Sequence, residues 1–298
     1  MLAVGVDIGG TKIRAAAVDE SGEIAYIRQV PTMAKQGPDI VVGHCVEIIQ
    51  QILREISPHH VLGIGIASAG QIDPETGTVL RSTDTFAHWQ GVKIADRVAA
   101  LVGLPTRVEN DVNAALLGEF WLGKAKGCDR AALVALGTGV GGALLENGQL
   151  AHGVHCRAGE FGHMIYQADG RLCGCGARGC YESYLSGPSL ASAYSSSNAS
   201  NLTAEEVMME SKEGNVNAQV AVIAWAKSLA CLLVSIQNSF DPECIILGGG
   251  IVDSRNAWWP KLKDALKEYP WPVSVEPATF GNYAALLGAA RLIVEGEG

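Results

Sequence analysis

The sequence predicts an α/β protein made of two similar halves with a cleft between them. The chain has 298 residues, which suits two domains or one large one. A unit of strand, glycine turn and strand opens the chain, and a related unit returns later. The first unit comprises Leu2–Ile8, Gly9–Thr11 and Lys12–Val18, and the second comprises Ala131–Leu136, Gly137–Gly142 and Ala143–Glu146.

Other elements fill the chain between and after these two strand–turn–strand repeats. Glu23–Val30 alternates weakly as a third strand, and Asn147-Gly148 is a strong hairpin turn. Apolar periodicity predicts helices at Pro38–Ile56, Lys93–Val102, Val112–Leu122, Ala204–Lys212, Asn217–Asn238, Trp258–Tyr269 and Tyr283–Val294. We expect the last helix to pack on the N-terminal half, since chain ends often lie close together. The predicted domains are residues 1–115 with 283–298, and residues 116–282.

Composition narrows the possible functions. A hydrophobic fraction of 48% with 18% charged residues predicts a sizeable core and excludes general disorder. The formal charge of −9 argues against a nucleic-acid-binding protein, which usually carries a basic stripe. An anionic ligand remains possible, because backbone N–H groups and a divalent cation can hold phosphate.

No membrane span and no signal peptide are predicted. Lys227 and Ser228 interrupt the longest apolar stretch, near Ala221 to Ile236, and Asp7 interrupts the first apolar run. The expected compartment is therefore the reducing cytoplasm. There, the eight cysteines are better explained as thiols or metal ligands than as disulfides.

Two glycine loops predict a phosphate site. In the first, Gly9 and Gly10 let the backbone approach an anion, with Thr11 and Lys12 facing its oxygens, while Asp7 can hold Mg²⁺ through water. An ordinary Gly-Gly hairpin turn is the alternative. The second loop makes that alternative less attractive, because it has four glycines in six positions: Gly137, Thr138, Gly139, Val140, Gly141 and Gly142.

A third glycine run, Gly248, Gly249 and Gly250, follows the apolar residues Ile245–Leu247. Its missing side chains would let a flat nucleoside lie close to the main chain. Together, the three runs predict a bound nucleotide with its phosphates.

Glu109-Asn110-Asp111 stands just before the predicted helix Val112–Leu122. Asp111 can be an N-cap, a general base, or both. A helix N-terminus favours the ionised carboxylate, which can accept a proton from a hydroxyl as its oxygen attacks phosphorus.

His163, Cys173, Cys175 and Cys180 have the spacing of a closed Cys₃His zinc site, which indicates a structural metal. Packed cysteines are the alternative. Zinc would also hold Glu160 and Glu182 nearby, and the second imidazole nitrogen of His163 could meet a substrate hydroxyl. With Asn110, these carboxylates would suit a polyhydroxylated ligand. Surface carboxylates are the simpler explanation.

Together, these residues resemble the ROK family of sugar kinases and regulators over essentially the whole chain. The motifs that carry the resemblance are Asp7–Lys12, Asn110-Asp111, Leu136–Gly142, Gly159–His163 and the Cys-Gly-Cys-Gly-Ala-Arg-Gly-Cys-Tyr-Glu run of Cys173–Glu182. The resemblance implies an actin-like (ribonuclease H-like) ATPase fold of two α/β domains. It also implies transfer of the ATP γ-phosphate to a sugar hydroxyl with Mg²⁺, and a homodimer.

By the same resemblance, Asp111 is the base, and Asn110, Glu160, His163 and Glu182 hold the sugar. Gly9–Lys12 and Gly137–Gly142 hold phosphates, and Gly248–Gly250 lies by adenosine. Ser68-Ala69-Gly70 and Ser82-Thr83 stand where many glucokinase-like members have Pro-Gly and Asn. That makes Gly70 and Thr83 sugar-contacting positions and looks more like the N-acetylmannosamine kinase branch.

Three hypotheses follow. The first is a kinase acting on the 6-hydroxyl of a hexose or N-acetylhexosamine, with N-acetylmannosamine favoured and glucose as the alternative. The second is a sugar-sensing repressor, which the phosphate motif at residue 7 disfavours because no DNA-binding region precedes it. The third is a catalytically silent binding protein, which Asp111 and the glycine loops disfavour.

Overall fold

The computed structural model describes residues 1–56, 60–82, 84–198 and 201–294. The chain forms two compact units. Unit 1 comprises Met1–Lys126, His152–Arg157 and Asn282–Gly298, and unit 2 comprises Gly127–Ala151 and Ala158–Gly281. The sequence-based boundary after residue 115 falls inside a helix that lies wholly in unit 1, because that helix packs against the last helix of the chain.

Unit 1 is a five-stranded sheet with helices and a small two-stranded sheet. Its strands are β1 (Leu2–Ile8), β2 (Lys12–Asp19), β3 (Ile24–Pro31), β4 (Val61–Ser68), β5 (Gln71–Asp73), β6 (Thr78–Arg81) and β7 (Thr106–Asn110). Its helices are α1 (Pro38–Glu55), α2 (Ile94–Val102), α3 (Asp111–Leu122) and α9 (Ala284–Val294). The large sheet has the order β3-β2-β1-β4-β7, and β5 pairs with β6.

Unit 2 repeats this topology. Its strands are β8 (Arg130–Leu136), β9 (Val140–Glu146), β10 (Gln149–Leu150), β11 (Cys244–Gly248) and β12 (Val275–Pro277). Its helices are α4 (Glu182–Leu185), α5 (Gly187–Asn198), α6 (Ala204–Glu213), α7 (Val216–Phe240) and α8 (Trp259–Leu266). The order β10-β9-β8-β11-β12 matches unit 1 strand for strand, with two antiparallel pairs followed by two parallel pairs.

Strand register in unit 1 aligns the residues that precede the loops. β1, β4 and β7 run parallel, so their carboxyl ends meet at one edge of the sheet. Asp7 is level with Ala67, which is level with Glu109. One residue further along the strands, Ser68 is level with Asn110. In open α/β sheets this edge is where ligands bind.

Helix α7 is the longest apolar element. Within the described residues it is the one helix long and apolar enough to span a membrane, with a mean hydropathy of 1.8 over its most apolar window. More than half of that window is buried, and Leu229, Leu232 and Leu233 lie in the core of unit 2. The helix is therefore explained as the core helix of a globular unit.

Helix α9 packs so closely on β1 and β4 that each strand requires a glycine at the contact. A Cβ on Gly65 would lie 1.7 Å from the carbonyl oxygen of Ala289. A Cβ on Gly5, on the neighbouring strand β1, would lie 2.4 Å from the carbonyl oxygen of Leu286. Backbone atoms cannot move aside as a flexible side chain can. The absence of side chains here sets how closely the helix approaches the sheet.

We expect Gly65→Ala to lower the free energy of unfolding by about 3 kcal/mol, because the new methyl group forces α9 away from the sheet. Thermal and urea unfolding measure this change. Gly43→Ala is the matched control, since a Cβ on Gly43 in α1 meets nothing within 4 Å. Alanine should raise stability there by up to about 1 kcal/mol. Equal effects of the two substitutions would contradict the close packing of α9.

Candidate active site

The turn from β7 into α3 is fixed by Asn110. Its side-chain oxygen accepts hydrogen bonds from the N–H groups of Val112 (2.9 Å) and Asn113 (3.1 Å), so Asn110 is the N-cap. The sequence left open that Asp111 is the cap. Asp111 is instead the first residue of the helix, which frees its carboxylate from that task. An acidic group at this position is stabilised by the helix dipole.

Asp111 lies in a strongly desolvating environment although part of its surface stays accessible to solvent. Its Oδ1 accepts hydrogen bonds from the side-chain amide of Asn110 and from the N–H of Val112, both at 3.0 Å. Burial, followed by the negative charge of Asp7, raises the pKa of Asp111 to about 7. A carboxylate with a pKa near neutrality is well matched to general-base catalysis.

Asp7 shares this edge of the sheet. Burial raises the pKa of Asp7 to about 6, against the lowering effects of Arg14 and Lys12. The guanidinium of Arg14 is 3.7 Å from the Asp7 carboxylate, and both side chains keep less than a fifth of their surface exposed. The sequence did not single out Arg14. Arg14 on β2 lies directly opposite Asp7 on β1, so a correct pairing of these two strands would have identified it.

Gly70 is hydrogen-bonded to Asn110, the residue that also contacts Asp111. Its carbonyl oxygen accepts a hydrogen bond of 2.9 Å from the side-chain amide of Asn110. Gly70 has a φ of +106°, and a Cβ would lie 2.7 Å from the carbonyl oxygen of Arg81. Only glycine fits this backbone position. Thr83, the other predicted sugar-contacting residue of this loop, lies outside the described residues.

Glu109, which is buried, and His152, which is partly exposed, form an ion pair that the sequence does not predict. His152 Nε2 is 2.6 Å from Glu109 Oε2. Glu109 is 2% exposed, and its Oε1 accepts hydrogen bonds from the N–H of Asn110 (2.8 Å) and the side-chain amide of Asn113 (2.9 Å). The hydrogen bond to Glu109 raises the pKa of His152. The two residues are 43 positions apart, so no local spacing could have paired them.

In unit 2, the predicted phosphate loop lies between β8 and β9. Gly137 N–H donates to the carbonyl of Gly139 at 3.0 Å, which curls the loop. Glu182, at the start of α4, accepts a hydrogen bond of 3.0 Å from the N–H of Val140 in this loop. A Cβ on Gly139 would lie 2.6 Å from that carboxylate. The glycine therefore lets Glu182 reach the loop backbone.

The four predicted metal ligands converge in unit 2. The ligand atoms of His163, Cys173, Cys175 and Cys180 all lie within 4.8 Å of one another. The sulfurs of Cys175 and Cys180 are 3.7 Å apart, and Cys173 Sγ is 3.8 Å from His163 Nδ1. A tetrahedral zinc with bonds of about 2.3 Å to sulfur has sulfur–sulfur edges of about 3.8 Å. The donor set and its dimensions thus fit zinc.

Glu182 also contacts this cluster, because Cys173 Sγ donates to Glu182 Oε1 at 3.5 Å. The side chain therefore joins the cysteine cluster to the glycine loop. Glu160 is exposed just before the short 3₁₀ helix Phe161–His163. The third glycine run, Gly248–Gly250, starts at the carboxyl end of β11, the counterpart of β4 in unit 1.

The sequence matches the ROK family over residues 3–295. The chain belongs to the ROK family. It is 35% identical to the glucokinase of Streptomyces coelicolor over 317 residues, which covers 99% of this chain and 98% of that protein.

Two solved structures extend the comparison. The crystal structure of a ROK family glucokinase from Streptomyces griseus with glucose and AMPPNP has a TM-score of 0.85 at 31% identity and covers 99% of this chain and 100% of its own. A Listeria monocytogenes protein, proposed to be an N-acetylmannosamine kinase, has a TM-score of 0.87 at 27% identity and covers 100% of both chains. The predicted fold, that of the actin-like ATPases, and the predicted kinase class of this ROK family member are confirmed.

Asp111→Asn should stabilise the ligand-free protein at pH 8. The pKa of Asp111 is raised by folding, so the folded state binds this proton more tightly and stability falls as pH rises from about 4 to about 7. Asparagine removes the buried charge and keeps the hydrogen-bonding oxygen. We expect the melting temperature to rise by a few degrees at pH 8, at about 2–4 °C per kcal/mol, and to change little at pH 4.

Asp73→Asn is the control with the opposite sign. The hydroxyl of Thr76 donates a hydrogen bond to Asp73 and lowers its pKa, so its charge contributes stability above its ordinary pKa. This variant should be slightly less stable than the parent at pH 8. A loss of stability in Asp111→Asn that is equal at pH 4 and pH 8 would contradict the raised pKa.

Proposed function

We propose that this protein transfers the γ-phosphate of ATP to the 6-hydroxyl of a hexose or N-acetylhexosamine. The observation that carries the proposal is the Asn110–Asp111 pair at the start of α3, where burial and Asp7 raise the pKa of the Asp111 carboxylate to about 7. A base of this pKa can take the proton of a sugar hydroxyl while its oxygen attacks phosphorus. The glucokinase relatives support the same reaction.

Each unit has its own candidate sugar-binding groups. In unit 1 they are Asn110, Gly70 and the sequence-predicted Thr83, and in unit 2 they are Glu160, His163 and Glu182. His163 turns Nδ1 toward the sulfur of Cys173, which leaves Nε2 for a hydroxyl. Glu182 Oε2 receives the Val140 N–H, so its carboxylate is oriented before any sugar arrives. Such orientation reduces the entropy lost on binding.

The phosphates of ATP would be held by backbone N–H groups and small side chains. Gly9, Gly10, Thr11 and Lys12 follow the carboxyl end of β1, and Gly137, Thr138, Gly139 and Gly141 follow that of β8. Gly248, Gly249 and Gly250 would lie by the adenosine. The carboxylate of Asp7 is the oxygen ligand type that Mg²⁺ takes. When bound, Mg²⁺ neutralises charge on the phosphate oxygens.

We propose N-acetylmannosamine as the favoured sugar and glucose as the alternative. N-acetylmannosamine is supported by the stretches Ser68-Ala69-Gly70 and Ser82-Thr83. A hydroxyl in place of an amide changes which substituents of the sugar can be hydrogen-bonded. The similarity to the Listeria monocytogenes protein agrees with it. The higher identity to the Streptomyces coelicolor glucokinase favours the alternative. We further propose a cytoplasmic homodimer, as the family resemblance implies.

A coupled assay of ADP release across glucose, fructose, mannose, N-acetylglucosamine and N-acetylmannosamine tests this proposal. We expect the highest kcat/KM with N-acetylmannosamine. Asp111→Asn should lower kcat by at least about 100-fold on every sugar while ATP still binds, because only proton removal is lost. Asp264→Asn is the matched control, since Asp264 is an exposed residue paired with Lys267 on the surface of unit 2.

A clear preference for glucose would contradict N-acetylmannosamine as the favoured substrate and would still agree with a sugar kinase. Absence of sugar-dependent ADP release on all five sugars would reject the proposed reaction. Near-normal turnover by Asp111→Asn would remove Asp111 as the base.

The zinc site is a separate part of the proposal. Elemental analysis of the purified protein should give about one zinc per chain, held by His163, Cys173, Cys175 and Cys180. Cys175→Ser should lose the metal and lower the melting temperature. Cys128→Ser should retain it, although Cys128 also has a sulfur neighbour, Cys244, at 3.7 Å. A metal-free parent protein of normal stability would contradict the site.

A further inference from the structure

Residues His152–Arg157 belong to unit 1, although the chain on both sides of them belongs to unit 2. Two contacts hold this segment. His152 pairs with Glu109 at the end of β7, and the side-chain amide of Gln71 on β5 donates to the carbonyl of His155. Just beyond Arg157 come Gly159, Glu160 and His163, three residues of the motif that carries the family resemblance. The segment is therefore anchored at the residue next to Asn110.

Glu109 is a buried carboxylate that needs a compensating cation. Removing a carboxylate from water costs several kcal/mol unless a partner charge and hydrogen bonds stabilise it. The amides of Asn110 and Asn113 satisfy Oε1, and His152 meets Oε2. Among the ion pairs of the described residues, His152 is the only basic partner of Glu109.

A continuous set of hydrogen bonds leads from this pair to the proposed base. Glu109 accepts the backbone N–H of Asn110 and the side-chain amide of Asn113. Asn110 caps α3 with its oxygen and donates from its amide to Asp111 Oδ1 and to the carbonyl of Gly70. A shift of Glu109 would therefore move the residue that orients both Asp111 and the Gly70 loop.

We propose that His152 is a positioning residue of the phosphotransfer site, whose imidazolium holds Glu109 in place and so fixes the Asn110–Asp111 pair. This inference rests on the proposed function for its catalytic consequence. His152 itself remains 28% exposed at its side chain, so it can exchange protons with solvent. His152 is thus both held by Glu109 and accessible to solvent protons.

Glu109 is the acidic group that acts on His152, with its Oε2 at 2.6 Å from Nε2. The pKa of His152 is raised by its hydrogen bond to Glu109, and the pKa of Asp111 is about 7. Turnover should therefore depend on pH through both groups: ionisation of Asp111 supplies the base, and loss of the His152 proton removes the cation that holds Glu109.

Steady-state kinetics from pH 6 to 10 on four variants test the proposal. His152→Ala should lower kcat at least about tenfold with the KM of sugar and ATP within threefold, because the pair acts on geometry at Asp111. His152→Gln should fall between this variant and the parent, since it can keep the hydrogen bond without the charge. His152→Arg keeps the cation, so it should restore most of kcat at pH 7.5 and lose the alkaline decrease.

His44→Ala is the matched control, because His44 is another partly buried histidine of unit 1, whose Nδ1 contacts the carbonyl of Pro31. It should leave kcat and the pH profile unchanged. A His152→Ala variant whose kcat stays within twofold of the parent would overturn the proposal. So would a His152→Arg variant that keeps the full alkaline decrease.

An NMR titration of the His152 imidazole separates this inference from the proposed function. The signal is assigned by its absence in His152→Gln. We expect a pKa above the ordinary histidine value in the parent protein and a lower one in Glu109→Gln. A His152 pKa that does not respond to Glu109→Gln would overturn the pairing whatever the activity. A parent protein inactive on all sugars, with the titration as expected, would reject the kinase reaction and keep the pairing.

Discussion

The register of three parallel strands brings three carboxylates to one edge of the sheet in unit 1. Asp7 is the penultimate residue of β1, Glu109 is the penultimate residue of β7, and Asp111 is the first residue of α3. Like charges in a desolvated place repel one another, so each must be compensated or hold its proton. Which carboxylate can accept a proton in unit 1 therefore depends on how the neighbouring groups offset this repulsion.

Each carboxylate is treated differently by its neighbours. Glu109 is fully buried and has His152 with two amide donors. Asp7 has Arg14 at 3.7 Å. Asp111 has hydrogen bonds and the helix N-terminus but no cation among its described neighbours, and its pKa is higher than that of Asp7. The lack of a cation leaves Asp111 with a pKa of about 7, which suits a general base.

Unit 2 uses the same strand order with other residues at the same edge. Where unit 1 has carboxylates, the ends of β8 and β11 lead into Gly137–Gly142 and Gly248–Gly250. Glu182 is an exception, because one of its oxygens meets the Val140 N–H and the other meets Cys173. Two copies of one scaffold thus present different chemistry, since loops and strand ends decide function while the sheet only positions them.

The sequence by itself determined the class of fold, the two glycine loops at strand ends and the cysteine cluster. These signals are local: a glycine turn between apolar runs, or three thiols within eight residues, has one dominant physical explanation. The α7 core helix was also predicted from its apolar faces, with bounds of Asn217–Asn238 against Val216–Phe240 in the structure. That the two halves face one cleft stays a prediction.

Only the tertiary structure decided which residues surround Asp111. Strands β4 and β7 were not among the predicted elements, and without them Asp7, Ser68 and Asn110 have no common edge. The cap belongs to Asn110, and the cation for Glu109 comes from His152, 43 positions away. These contacts depend on burial and on pairing between distant residues, and neither produces a periodic pattern in the sequence. The energy of a buried charge depends on the groups that the rest of the fold places beside it.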